Sequence, residues 1–225
     1  MITLSEYITE SILSSTRTGK AGIDEELKKY GLDPVKATLN TDGTIDYDGD
    51  VVLVYYGLAK LPFKFRKVNG DFKCSYNNLT TLDGAPKIVN GDFRCMKNML
   101  TSLKGGPQDV GGDYICIENK LITLEGAPDK IDGNFDCSHN ELTSLNHCPR
   151  TIKGSFYCLH NQLTSLEGGP EYVGNVYICS YNNLTSLNGI PKKLKGSFDC
   201  INNKINFTED DVLALCKISK NKIYV

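Results

Sequence analysis

Nine cysteines and three histidines are the side chains of this 225-residue chain best suited to chemistry. Thiolate and imidazole bind zinc, and a thiolate beside an imidazole is a nucleophile. Their spacing argues against both uses. Seven cysteines, from Cys74 through Cys95, Cys116, Cys137, Cys158 and Cys179 to Cys200, recur every 21 residues without exception. Cys148 and Cys216 fall outside that series, and neither has a metal-ligand pattern around it. An odd total cannot pair completely, so a pure disulfide framework is excluded. His139 and His160 stand one repeat apart, with Glu118, Asp136 and Glu141 near them. Imidazole and carboxylate suit zinc, but paired surface histidines are ordinary content of a polar rim, so no metal and no cofactor is assigned. Neither a glycine-rich phosphate loop nor a helical zinc motif occurs. The expectation is a protein that is not an enzyme.

Charge narrows the partners. Lys and Arg number 25 against 27 Asp and Glu, a net charge of −2. Nucleic acid and acidic membranes favour a strong basic excess, so neither is expected as the main partner. The longest apolar run, 51–59 with Gly57 inside it, is too short to span a bilayer. The N-terminus lacks the basic and continuous apolar regions of a secretory signal. A soluble protein with free thiols in a reducing compartment is the expectation.

The elements that position these cysteines follow from the period. Seven asparagines keep the same spacing from Asn77 to Asn203, and an aromatic stands two residues before each cysteine, from Phe72 to Phe198. Leucines five residues after the cysteine, prolines near the end of six units, and an aliphatic residue opening each unit complete the pattern. The unit reads V-x-G-x-F-x-C-x-x-N-x-L-T-x-L-x-G-x-P. It resembles the leucine-rich repeat family, whose core is L-x-L-x-x-N-x-L, with the aromatic and the cysteine at the first two apolar positions. The tail resembles the short bacterial type of repeat. The resemblance covers 68–207, and a degenerate copy extends it upstream through Gly49, Leu53, Leu58 and Leu61. It implies an α/β repeat solenoid with a parallel β-sheet on the concave face.

Period-two alternation in F-x-C points ring and thiol into one interior. Each asparagine is expected to turn inward and bond the backbone of its own and the next coil, whose amides would otherwise be buried unpaired. Proline suits an irregular convex side that needs no ladder donor. No repeat buries its core alone, so the array needs caps. Residues 1–48 are read as an N-terminal tail and cap, 49–207 as the solenoid, and 208–225 as a C-terminal capping helix and final strand. Within the first, apolar spacing predicts a short helix over 23–32, ending near Gly31 and Pro34. Thr208 followed by Glu209, Asp210 and Asp211 predicts a helix start.

A second resemblance lies in residues 1–11. Met1, Thr3, Glu6, Tyr7, Ile8, Glu10 and Ser11 resemble the capsid-targeting peptide of T-even-like tailed phages. That resemblance implies processing after Glu10 of Ile8-Thr9-Glu10, before Ser11. It also implies a phage-encoded protein packed inside the virion and delivered to the host cytoplasm, where such proteins often blunt host defences. Without the resemblance, Leu4, Tyr7, Ile8 and Ile12 suit one face of an amphipathic helix.

Columns that vary among repeats are where specificity can be written. Flanking the cysteines, Met96, Ile115, Ile117, Tyr157, Leu159 and Ile178 are predicted to form an exposed apolar band on one sheet face. Contiguous apolar patches with polar rims mark contact surfaces. Tyr157, with Arg94 and Tyr181 towards the flanks, fits the anchor types enriched at interfaces. The expected function is a scaffold binding a protein partner, in this reading a host protein. A head-internal structural component, or sequestration of a small ligand on the concave face, are the other readings.

Overall fold

The computed structural model describes residues 19–225. Ile8, Glu10 and Ser11, on which the processing expectation rests, lie outside the described residues.

Helical backbone runs over 19–29 and stops at Gly31, whose φ is +69°. Gly31 N–H donates to the Lys28 carbonyl and Leu32 N–H reaches back to Leu27, both at 3.0 Å. Glycine in the left-handed region allows both bonds and brings the buried Leu27 and Leu32 together. A hairpin follows: Ala37–Leu39 pairs antiparallel with Ile45–Tyr47 around Gly43, φ +78°.

From there the chain winds as a parallel β-solenoid. One sheet has nine strands, beginning Val51–Val52, Phe72–Lys73 and Phe93–Arg94 and ending Phe198–Asp199 and Ile223–Tyr224, so the array makes about nine turns. Its strands are two residues long and meet their partners one repeat on, as Phe135 meets Phe156. The aromatic amides from Phe72 to Tyr177 donate to the next coil; Phe72 N–H reaches the Asp92 carbonyl at 2.8 Å.

A second ladder was not expected. Ile45–Tyr47, Phe65–Val68, Ile88–Val89 and Asp109–Val110 pair in parallel, and Lys130–Ile131, Thr151–Ile152 and Tyr172–Val173 form a further parallel sheet. The V-x-G-x-F segment is therefore two strands with a bend between them. Consecutive coils touch at that bend, where glycine stands in every coil from Gly70 to Gly196 except at Asn175: a Cβ on Gly133 would lie 2.6 Å from the Gly112 carbonyl carbon and oxygen. The repeats contain no helix. The α/β expectation thus narrows to a β-solenoid with helix only at its flanks among the described residues, 19–29 and Glu209–Leu215.

Fixed columns make the core. The cysteines are free and buried, and the aromatics stack along the axis, Phe135 on Phe156 at 5.9 Å and 5° between planes. Burial pushes the Cys74 thiol up to about 12, so the ladder holds neutral thiols, and Cys116 Sγ donates to the Asp136 carbonyl at 3.2 Å. The asparagines turn inward as predicted, but the neighbour they reach is the preceding coil. Asn98 Nδ2 donates to the carbonyls of Cys95 (3.1 Å) and Cys74 (3.0 Å), while its Oδ1 accepts from Leu79 N–H at 3.0 Å. Each such buried group left unpaired would cost about 1–3 kcal/mol. Aspartates form another ladder: the Asp50, Asp71, Asp92 and Asp113 carboxylates each accept the next coil's amide at 2.8 Å.

After the last full coil, Thr208 Oγ1 accepts from Asp211 N–H at 3.2 Å and Asp211 Oδ2 accepts from Thr208 N–H at 2.8 Å. That reciprocal pair starts helix Glu209–Leu215, which buries Val212. Ile223–Tyr224 then adds the predicted final strand.

Candidate binding face

Alternation sets the outer face of the nine-stranded sheet. With Phe and Cys inward, the residues on either side of each cysteine point out. Arg94, Ile115, Tyr157 and Ile178 stand in one row across neighbouring coils, and Met96, Ile117 and Leu159 in the next. Strands about 4.8 Å apart let these side chains cover one another. All of them are therefore half-buried rather than open; of the predicted contact residues only Tyr181 is exposed, at 46%.

The apolar band has a seam. Asp136 pairs in register with Ile115 on one side and Tyr157 on the other, and Ser138 lies between Ile117 and Leu159 in the second row. Met96, Ile115 and Ile117 thus form one patch, and Tyr157, Leu159 and Ile178 another. Asp136 Oδ1 accepts from Ser138 N–H at 3.0 Å. Burial among these neighbours raises the Asp136 carboxyl above its ordinary value, against the Ser138 hydrogen bonds and the charge of His139. Ser138 Oγ beside it is buried with no partner among the described residues. At the flank, Arg94 pairs with Asp92 at 2.7 Å, and its Nε is also buried and unpaired among the described residues.

One edge of this face escaped the sequence reading. The residue before each of the seven ladder asparagines, and Tyr55 before Tyr56 at the same place in the first coil, has positive φ: Tyr55, Tyr76, Lys97, Glu118, His139, His160, Tyr181 and Asn202, all between 52° and 65°. Among these types asparagine and histidine are enriched in that region, whereas tyrosine, lysine and glutamate are not. The strand's last amide demands it, as in Lys97 N–H donating to the Ile117 carbonyl at 2.9 Å. These side chains stack along the axis. His139 lies on His160 and His160 on Tyr181, each at 4.4 Å, and Tyr55 on Tyr76 at 4.4 Å. Lys97 bridges the two groups, 5.2 Å over the Tyr76 ring and 3.3 Å from the Glu118 carboxylate. The signal available in the sequence was a column of changing residues locked between a strand and a fixed asparagine.

His139 and His160 are stacked ring on ring, and among the described residues no group of three or more His, Cys, Asp or Glu is placed to hold a metal ion. No described helix is long and apolar enough to cross a membrane. No family model matches the chain, and no curated protein matches it.

Proposed function

We propose that this chain is a protein-binding scaffold of the leucine-rich-repeat kind, and that the outer face of the nine-stranded sheet is its concave contact surface. One observation carries the reading. Eight successive coils hold non-glycine residues in left-handed backbone, at a cost of about 1–2 kcal/mol each where the type is ill suited. Five of the eight are tyrosine, lysine or glutamate, so their types answer to something other than backbone comfort. They border the two apolar patches and add exposed aromatic surface in His139, His160 and Tyr181.

The partner is a host protein in this reading, with Tyr157, Arg94 and Tyr181 as anchors. The resemblance of residues 1–11 to a capsid-targeting peptide supports a phage-encoded protein, packed in the virion, cut between Glu10 and Ser11, and acting on a host defence protein. Affinity capture from host lysate with the intact chain, beside an Ile115→Asp/Tyr157→Asp double variant of unchanged thermal midpoint, tests the face. Loss of a specific partner in the variant is expected; a partner retained by it sinks the assignment. Purified virions lacking any peptide that begins at Ser11 would count against packaging with processing.

A further inference from the structure

The two edges of the nine-stranded sheet match each other. At the first edge, Val51 N–H donates to the Asp71 carbonyl and Leu53 N–H to Lys73. Val52, between them, therefore aims its own N–H and carbonyl away from the array. At the last edge, Cys200 N–H donates to the Tyr224 carbonyl at 2.9 Å. Tyr224 faces the array, so Ile223 and Val225 aim outward. Ile223 N–H is engaged on Lys220, which leaves the Ile223 carbonyl and the Val225 amide. Among the described residues, Val51–Val52 pairs only with Phe72–Lys73, and Ile223–Tyr224 only with Phe198–Asp199.

Charge and polarity fit the same match. The first layer, 19–50, holds eight carboxylates against four lysines; the last, 192–225, holds seven lysines against four carboxylates. Apolar side chains stand open at both edges: Val52 at 46% and Tyr224 at 52% exposure. A free edge is a template for another strand, and proteins usually blunt it with charge, proline or a bulge. Neither edge strand carries any of these.

We propose that a second copy of this chain stacks head to tail on the first, with Tyr224 of one opposite Val52 of the next in a parallel ladder. Val225 N–H donates to the Val52 carbonyl, and Val52 N–H donates to the Ile223 carbonyl. This is the register in which Cys74 N–H meets the Arg94 carbonyl inside the array. A stray peptide could pair with one edge, but only another copy supplies the matching direction and the opposite charge at both. The two surfaces differ, so the contact is heterologous and each added copy exposes a fresh edge.

Sedimentation of the full chain across a concentration series at low salt tests this. The weight-average mass should climb past that of a dimer and fall back as salt screens the layers. Val225→Pro removes one outward amide and leaves the bond to Cys200 intact; it should weaken association about tenfold, the effect of one hydrogen bond. Val225→Ala, which keeps the amide, should not. Val52→Pro should weaken it from the other edge, with an unchanged thermal midpoint showing that the fold persists. A single-chain mass at every concentration overturns the proposal. So does association that stops at dimers, or that both proline variants leave unchanged.

Discussion

Adjacent residues in each coil behave in opposite ways. Asn119 repeats its type in all seven coils from Asn77 to Asn203 and is spent entirely on backbone. Its Nδ2 donates to the Cys95 and Cys116 carbonyls at 3.1 Å, and its Oδ1 accepts from Leu100 at 3.2 Å. Glu118, one residue before, sits at φ +53° and is exposed, and its equivalents run through tyrosine, lysine, histidine and asparagine. The first column holds the coils together; the second is carried by them at a conformational cost. In a solenoid the boundary between scaffold and reading surface can thus fall between neighbouring residues.

Three substitutions break or sharpen that contrast. Asn119→Ala strands several buried backbone groups and should cost at least about 3 kcal/mol in chemical denaturation, since each such group costs about 1–3 kcal/mol. A cost near zero would mean that water replaces the amide and the column is not structural. Glu118→Asn should go the other way and stabilise by up to about 1 kcal/mol, because asparagine suits the left-handed region. The exposed Lys97 ion pair it gives up is worth little. A destabilised variant would show that the stacked column contributes to the fold rather than being carried by it.

The smallest effect concerns the seam between the apolar patches. The folded state holds the Asp136 proton above the ordinary carboxylate value of 3.8. Through the window from that value up to the folded one, the folded protein binds more protons than the unfolded chain. Stability from this group therefore falls as pH rises. Asp136→Asn keeps the acceptor for Ser138 N–H and removes that dependence. Denaturation across a pH series should show the variant gaining on the parent as pH rises; a constant difference would put Asp136 in ordinary solvent.

How much of this was legible depended on whether residue type carried the information. Period, core columns and the Thr208 start all rest on side chains that do one job, and they stood in the sequence. The second ladder did not, because V-x-G-x-F alternates as one strand would; only the crowding at the glycine separates the two halves. The left-handed column was hidden because Tyr, Lys, Glu and His give no hint of positive φ. The candidate face was read as continuous because the apolar types on either side of Asp136 outnumber it. The asparagine's partner was read one coil too late, since period alone does not tell which neighbour an amide reaches. A finer coupling was available unread. Where the aromatic is Tyr114 or Tyr177, the residue eight before it is glycine, and elsewhere, as at Ala85 and Ala127, it is larger. A Cβ on Gly106 would meet the Tyr114 hydroxyl at 2.9 Å, so the pair exchanges bulk across the interior.

The cysteine ladder gives the molecule an internal gauge of its own opening. Each repeat carries one neutral ladder thiol, beside which the Cys137 repeat also holds the buried Cys148, and a soluble reagent reaches a ladder thiol only when that coil separates from its neighbours. Units that touch only adjacent units separate from the ends inward. Cys200, already 2% accessible, should be modified early and Cys137, at 0% in the middle, late. The order in which the seven masses shift would record, coil by coil and without any added label, which end of the stack lets go first.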